Sequence, residues 1–231
     1  MNKFKIMAEI DFSKYKIPRI RHHSNRSFYF SADKHTKKVS TYPPVDKSIN
    51  WSKIFANAKP PDCIDIGCGL GKFMLRYACN YPDLNILGLE VRNVAVNWIN
   101  GIIKSEMLGN AGALWYSSAN LFPFIEDESV SRVFCLFPDP WVKRRHNKRR
   151  VINKSTINDI HRILLPKGKL YLMTDVDELS GYHIEQLESQ GGFTFQLVSE
   201  DNWDLKFRSN QEEFCLSKGI SIKRMICTKQ V

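Results

Sequence analysis

The sequence predicts an α/β fold built on an open, mostly parallel sheet, and three observations carry that prediction. From residue 62 onward, short apolar runs alternate with stretches of helical periodicity, the pattern of strand–helix–strand units. The first apolar run ends in a glycine-rich turn, Gly67-Cys68-Gly69-Leu70-Gly71. The second ends in an acid, Glu90, about twenty residues further on, the spacing at which a doubly wound sheet presents a carboxylate to a ribose.

Taken in order, the first sixty residues are the least regular. Lys14, Lys16, Arg19, Arg21, His22, His23 and Arg26 form a loose basic segment with Tyr15, Phe28, Tyr29 and Phe30 interleaved, a composition that suits either contact with RNA or a mobile solvated arm. Residues 1–48 are therefore expected to be a basic, partly flexible extension, and residues 49–231 a single domain. Asn50 reads as the N-cap of a short helix over residues 51–58, which Pro60-Pro61 breaks. Strands are expected at residues 62–66, 85–89, 113–117, 131–137 and 169–174, and helices at 71–80, 92–107, 155–165 and 177–189. Pro166-Lys167-Gly168 turns the chain into the fifth strand. Residues 193–198 and 222–228 are strand candidates for an antiparallel pair at one edge, and the polar stretch 201–218 between them has no clear assignment.

Length and composition narrow the function. A chain of 231 residues, 43% hydrophobic, suits one large domain with a substantial core. A formal charge of +10 calls for a polyanionic partner, nucleic acid first and an anionic membrane surface second. No apolar run approaches the roughly 18 residues of a membrane span. The first 20 residues mix Lys with Glu9 and Asp11 and lack the apolar core of a secretory leader. The six cysteines, at 63, 68, 79, 135, 215 and 227, contain no C-x-x-C pair, and three fall in expected strands. They read as reduced core residues of a cytoplasmic protein, with neither a zinc site nor a disulfide framework and no metal expected.

The glycine turn is the first functional motif. Glycines let the backbone reverse tightly between strand and helix and approach a ligand, while the helix start offers unpaired N–H groups to an anion. The spacing G-x-G-x-G is one residue short of the dinucleotide fingerprint, and Phe73 after Gly71-Lys72 rules out a phosphate-binding Walker loop. Alone, such a turn serves close helix–strand packing equally well. Glu90 shifts the reading toward a ribose-bearing cofactor, and Asp65 beside the turn is placed to orient it.

The second motif follows the apolar run Val133-Phe134-Cys135-Leu136-Phe137. Pro138 and Pro140 bracket Asp139, so a stiff loop holds a carboxylate at a strand end, where open sheets bind ligands. Six of the next eight positions, 143–150, are Lys or Arg. Nucleic-acid phosphate is the counterpart of such a run, although a basic octamer elsewhere would as readily be a solvated face. His146 fits a phosphate or base contact, or plain solvation. Asp175, at the end of the neighbouring expected strand, is placed either to flank the same ligand or to cap the helix that follows.

Together these residues resemble the tRNA (guanine-N7)-methyltransferases. The resemblance rests on Asp65-Ile-Gly-Cys-Gly-Leu-Gly, Gly88-Leu-Glu90-Val-Arg, Phe137-Pro-Asp-Pro-Trp-x-Lys143-x-x-His146-x-Lys-Arg-Arg150, Thr174-Asp175 and Ser209-Asn-Gln-Glu212, and it runs from about residue 21 onward. It implies a Rossmann-like class I methyltransferase fold, a mostly parallel seven-stranded sheet with helices on both faces and an antiparallel C-terminal strand pair. It also implies S-adenosylmethionine as methyl donor and N7 of a variable-loop guanine, position 46 of tRNA, as acceptor. Asp65, Gly67, Gly69 and Glu90 match donor-binding positions, and Asp139 matches the catalytic one, adjoining the donor. Lys143 matches a substrate contact. Arg145, His146, Asn147, Lys148, Arg149 and Arg150 match an RNA-facing run, and Asp175, Ser209 and Glu212 match guanine-binding positions. Two departures stand out: Ser118-Ala119 replaces the usual Asp or Asn before Ala, with Asn120 following, and Ser209 replaces Thr. Ser118 and Asn120 are both candidates for the adenine edge. Trp141 follows the bacterial form of the motif, so no obligate β-propeller partner is expected, and the chain is expected to be a monomer or homodimer.

Two other classes share part of this pattern. Another class I methyltransferase, acting on a different RNA, a protein or a small molecule, would carry the glycine turn and Glu90 but has no use for six cations after a site acid. A catalytically silent RNA-binding scaffold has no use for the donor acids.

Overall fold

The computed structural model describes residues 9–20, 25–35 and 41–231; Arg21, His22 and His23 of the basic segment lie outside the described residues. Among the described residues seven strands form one sheet: β1 (Cys63–Ile66), β2 (Ile86–Glu90), β3 (Ala111–Trp115), β4 (Val130–Leu136), β5 (Leu164–Thr174), β6 (Phe193–Val198) and β7 (Lys223–Lys229). Their order is β3-β2-β1-β4-β5-β7-β6. The first five pair in parallel, and β7 lies antiparallel between β5 and β6. The order reverses between β1 and β4, and the crevice beyond the carboxyl ends of those strands is where such sheets take ligands.

Among the described residues there are five α-helices, α1 (Lys72–Asn80), α2 (Asn93–Ser105), α3 (Lys154–Ile163), α4 (Asp177–Gln190) and α5 (Asn210–Ser217). Alternate strand residues feed two cores. Ile64, Ile66, Leu87, Leu89, Val133 and Cys135 meet Ile157, Ile160 and Ile163 of α3 and Leu187 of α4 on one face. Cys63, Ile86, Phe134, Tyr171 and Met173 meet Phe73, Met74 and Tyr77 of α1 and Val96, Ile99 and Ile102 of α2 on the other. Cys63, Cys135 and Cys227 are buried in β1, β4 and β7 with their thiols pushed up, by burial first of all. Among the described residues no helix is long and apolar enough to cross a membrane.

Four elements differ from expectation, each for a local reason. The fifth strand starts at Leu164 and not at residue 169, because Leu164 already pairs with Val130 of β4, and the expected turn Pro166-Lys167-Gly168 sits inside the strand where the register shifts between Val130 and Arg132. The helix expected over residues 51–58 is only a 3-10 turn, Trp51–Lys53. Asn50 does cap it, accepting from Ser52 N at 3.1 Å, but Phe55 is then drawn into the core and Ala56 donates to Gly109 O. The third strand begins two residues early, at Ala111, because Asn110 anchors its start by donating to the carbonyls of Ala78, Tyr81 and Leu84. Its Ala-Gly-Ala opening lacks the bulk of a typical strand, yet a Cβ on Gly112 would collide with Ile54. Helix α5 fills the polar stretch that had no assignment; only Glu212 and Cys215 of it are buried, so it has almost no apolar stripe to read.

Candidate active site

A cleft opens at the carboxyl ends of β1, β2 and β4, lined among others by Gly67, Glu90, Ser118, Ala119, Phe137 and Asp139. The glycine turn meets the cleft at Gly67, while Gly69 and Gly71 stand outside its lining. Gly67 has φ of 73° and Gly71 of 68°, left-handed values that favour glycine. A Cβ on Gly71 would lie 2.8 Å from Ile99, so that glycine serves packing. A Cβ on Gly67 would meet nothing within 4 Å, so that one faces open space in the cleft. The two uses of a glycine turn are divided between two residues.

Glu90 ends β2 with only 3% of its surface exposed. It accepts from Gly69 N at 2.9 Å, from Arg92 N at 2.9 Å, and from the Arg92 guanidinium at 2.9 and 3.0 Å. Asp65, on the adjacent strand, is equally buried. Burial, with the Glu90 charge adding to it, pushes the Asp65 carboxyl up to about 8 from an ordinary 3.8. The native protein thus keeps a proton there that the unfolded chain loses near pH 4. Stability is expected to fall as pH rises from about 4 to about 8 and to level off above that. Thermal unfolding across this range should show a shallower decline in Asp65→Asn, and an undiminished decline would place its cause elsewhere.

The loop after β4 holds Asp139 in a fixed frame. Phe137 donates to Met173 O at 2.7 Å, tying the strand end to β5. Phe137 and Trp141, on either side of Pro138-Asp139-Pro140, have φ of 53° and 41°, values that cost a side-chain-bearing residue about 1–3 kcal/mol and need support from elsewhere. Arg150 supplies it. Its guanidinium is buried, donating to Pro140 O at 3.1 Å, Trp141 O at 3.4 Å and Glu178 at 2.7 Å while lying 4.4 Å above the Tyr182 ring. Asp139 itself is exposed at the cleft edge and accepts from the Tyr29 hydroxyl. Arg92 lies between the acids; its hydrogen bond to Glu90 chiefly raises its basicity, and the charge of Asp139 contributes.

The basic run coils into a 3-10 turn, Arg144–Arg149. Lys143 and Lys148 are exposed. The Lys148 ammonium and the Arg149 guanidinium approach the Phe30 ring at 5.6 and 5.9 Å, and Arg149 also stacks 4.8 Å from Trp141. His146 meets Trp141 edge-on at 5.6 Å. Asn147 closes the turn by accepting Arg150 N–H at 3.0 Å. The side chain of Arg145 lies outside the described parts. Arg150, expected to face RNA with the rest of the run, is instead an internal strut, because its three acceptors and Tyr182 enclose it.

The remaining expected residues fall in two places. Ser118 lines the cleft, whereas Asn120 does not: its side chain accepts from Ala32 N at 2.8 Å and pairs with the Tyr42 hydroxyl. Asp175, Ser209 and Glu212 gather around α5, outside the cleft lining. Ser209 caps α5 by accepting from Glu212 N at 3.2 Å, Glu212 is buried against Arg224 at 2.9 Å, and Cys215 donates to Asp175 at 3.6 Å. Asp175 does not cap α4, whose N-cap is Val176.

Residues 59–222 match a family described as "Putative methyltransferase". A tRNA (guanine-N(7)-)-methyltransferase of Thermosynechococcus vestitus is 30% identical over 206 residues, 87% of this chain and 96% of that protein. The chain belongs to the tRNA (guanine-N(7)-)-methyltransferase family. Members of that family from Lactobacillus gasseri and Geobacillus thermodenitrificans are 32% and 34% identical, covering 75% and 71% of this chain and 74% and 78% of their own. The precorrin-6y C5,15-methyltransferase of Geobacter metallireducens superposes with a TM-score of 0.51 at 16% identity, over 73% of this chain and 78% of that one, a likeness of fold alone.

For a member of this family, three residues of the site went unassigned in the sequence. Arg92 stands inside the Gly88-Leu-Glu90-Val-Arg motif, and a cation two residues from a ribose-type acid was the available signal. Ser117 and Tyr29 had none beyond composition, because the approach of residues 25–35 to the cleft is a long-range contact.

Proposed function

We propose that this chain transfers a methyl group from S-adenosylmethionine to N7 of guanine in tRNA, at position 46 of the variable loop. The observation that carries this reading is the placement of Asp139: a carboxylate on a strut-held loop, at the mouth of a cleft lined by Gly67 and Glu90, with a cationic turn starting five residues later. The cleft fits the donor. Gly67 leaves space where a side chain would stand, Glu90 offers a buried carboxylate to ribose hydroxyls, and Ser118 offers a hydroxyl. When bound, S-adenosylmethionine supplies an electrophilic methyl group on a sulfonium. Because guanine N7 has an exposed lone pair, the protein's main task is in-line placement, and this reading calls for no metal. Asp139 stabilises the positive charge that develops on the purine. Asp175, at the end of the adjacent strand, accepts the guanine N1–H and N2–H donors. The protein acts in the cytoplasm, as a monomer or homodimer, without a β-propeller partner.

Incubation with methyl-labelled donor and unmodified tRNA, followed by borohydride and aniline, tests the reading. Strand cleavage at the labelled guanine is expected, and labelled RNA that resists cleavage would assign a different acceptor atom.

The exposed cations of the turn grip phosphate in this reading. Replacing Lys143 and Lys148 together with Ala should weaken all tRNAs alike and reduce the slope of log K against log salt by roughly one to two units. Donor affinity should be unchanged. An unaltered slope would take these lysines off the RNA backbone.

A further inference from the structure

The short segment at residues 25–35 joins the two halves of the site. Asn25 starts it by accepting from Ser27 N at 3.0 Å, which sets the 3-10 turn Arg26–Tyr29. On the donor side, the Phe28 carbonyl accepts from Ser117, and Ala32 N–H donates to Asn120. Ser117 and Asn120 flank Ser118 and Ala119 of the cleft wall. Tyr42 fastens the segment from outside, donating to Phe30 O at 2.6 Å with its ring edge-on to Phe28. On the acceptor side, the Tyr29 ring stands perpendicular to Trp141 with centroids 4.9 Å apart, and its hydroxyl donates to Asp139 Oδ2.

This arrangement answers a need that the loop leaves open. Arg150 and the prolines fix the backbone around Asp139, yet an exposed aspartate side chain still rotates, and a carboxylate stabilises developing charge only when it is held in place beforehand. A phenol anchored edge-on against Trp141 is a stiff donor with two rotatable bonds. We propose that Tyr29 is a positioning residue for Asp139, so that the N-terminal segment forms part of the catalytic unit and its anchorage on Ser117 and Asn120 links the donor wall to the acceptor carboxylate. The proposal rests on the tRNA-methylation reading for its kinetic consequences, but not for its structural one.

Tyr29→Phe keeps the ring and its contact with Trp141 and removes only the hydroxyl. Its single-turnover methylation rate is expected to fall about tenfold, the loss of one hydrogen bond to a charged group, with tRNA KM and donor affinity within about twofold of the parent. In an Asp139→Asn background the same change should alter the rate by less than about twofold, because the carboxylate it positions is gone. A full rate in Tyr29→Phe, a faster one, or an undiminished tenfold loss in the Asp139→Asn background would overturn the proposal. Carbon-13 NMR of the Asp139 carboxyl in the free protein needs no methyl acceptor: its resonance should move in Tyr29→Phe, and an unmoved resonance would overturn the proposal whatever the acceptor is.

Discussion

Asp139→Asn is expected to lower the single-turnover rate of tRNA methylation by on the order of a hundredfold while the tRNA KM barely moves. The substitution keeps the side-chain shape, and the loop is held independently of the charge. Arg150 grips the carbonyls of Pro140 and Trp141, and Phe137 is tied to Met173. On the proposed reading, what disappears is a negative charge facing the purine, whose positive charge develops only as the bond forms. Interactions realised only in the transition state appear in kcat and not in KM. Asp175→Asn should behave in the opposite way. Guanine N1–H and N2–H are donors in the ground state as well, so an amide N–H turned toward them raises the KM. Both variants should keep the parent circular dichroism spectrum. A full chemical rate in Asp139→Asn would reduce that residue to a shaper of its loop.

Glu90→Gln should weaken binding of S-adenosylmethionine by about 1.5 to 3 kcal/mol, the worth of hydrogen bonds to a charged group, or roughly one to two decades in dissociation constant. Glu90 is engaged by the Arg92 fork and by Gly69 N–H. On the proposed reading its charge does two things: it receives ribose hydroxyl donors and it holds Arg92 to one side of the cleft. The neutral amide does neither as well, and it presents an N–H to the guanidinium that now lacks a counter-charge. Affinity for tRNA should change little. Calorimetry showing the parent donor affinity would remove Glu90 from the site.

The parts of this protein that were legible in its sequence are those fixed by short-range pattern. Alternating apolar runs gave the strands, and because parallel sheets take ligands at strand ends, Gly67, Glu90 and Asp139 were readable as cleft-lining residues from their positions, whereas Asp175, read the same way, lies outside the lining. The parts that were not legible depend on where a side chain goes after the chain has folded. Arg150 looks like its neighbours in a basic run, yet the turn points it inward to Glu178 and Tyr182. Asn120 carries an amide suited to adenine, but the N-terminal segment claims it. Tyr29 meets Asp139 across 110 positions of chain, a separation that no local period encodes. Even β3 was displaced by two residues, because the bulk that makes its Ala-Gly-Ala start a strand comes from Ile54 and Phe55 packed over it.

The most direct measurement of the central claim uses two tRNA transcripts that differ by one atom in one base, guanine or 7-deazaguanine at position 46, each offered to the purified protein with methyl-labelled S-adenosylmethionine. The 7-deaza base keeps the Watson–Crick edge and replaces N7 with carbon, so it binds without offering the lone pair. Transfer of label to the guanine transcript and none to the 7-deaza transcript is the expected result; equal labelling of both would contradict it.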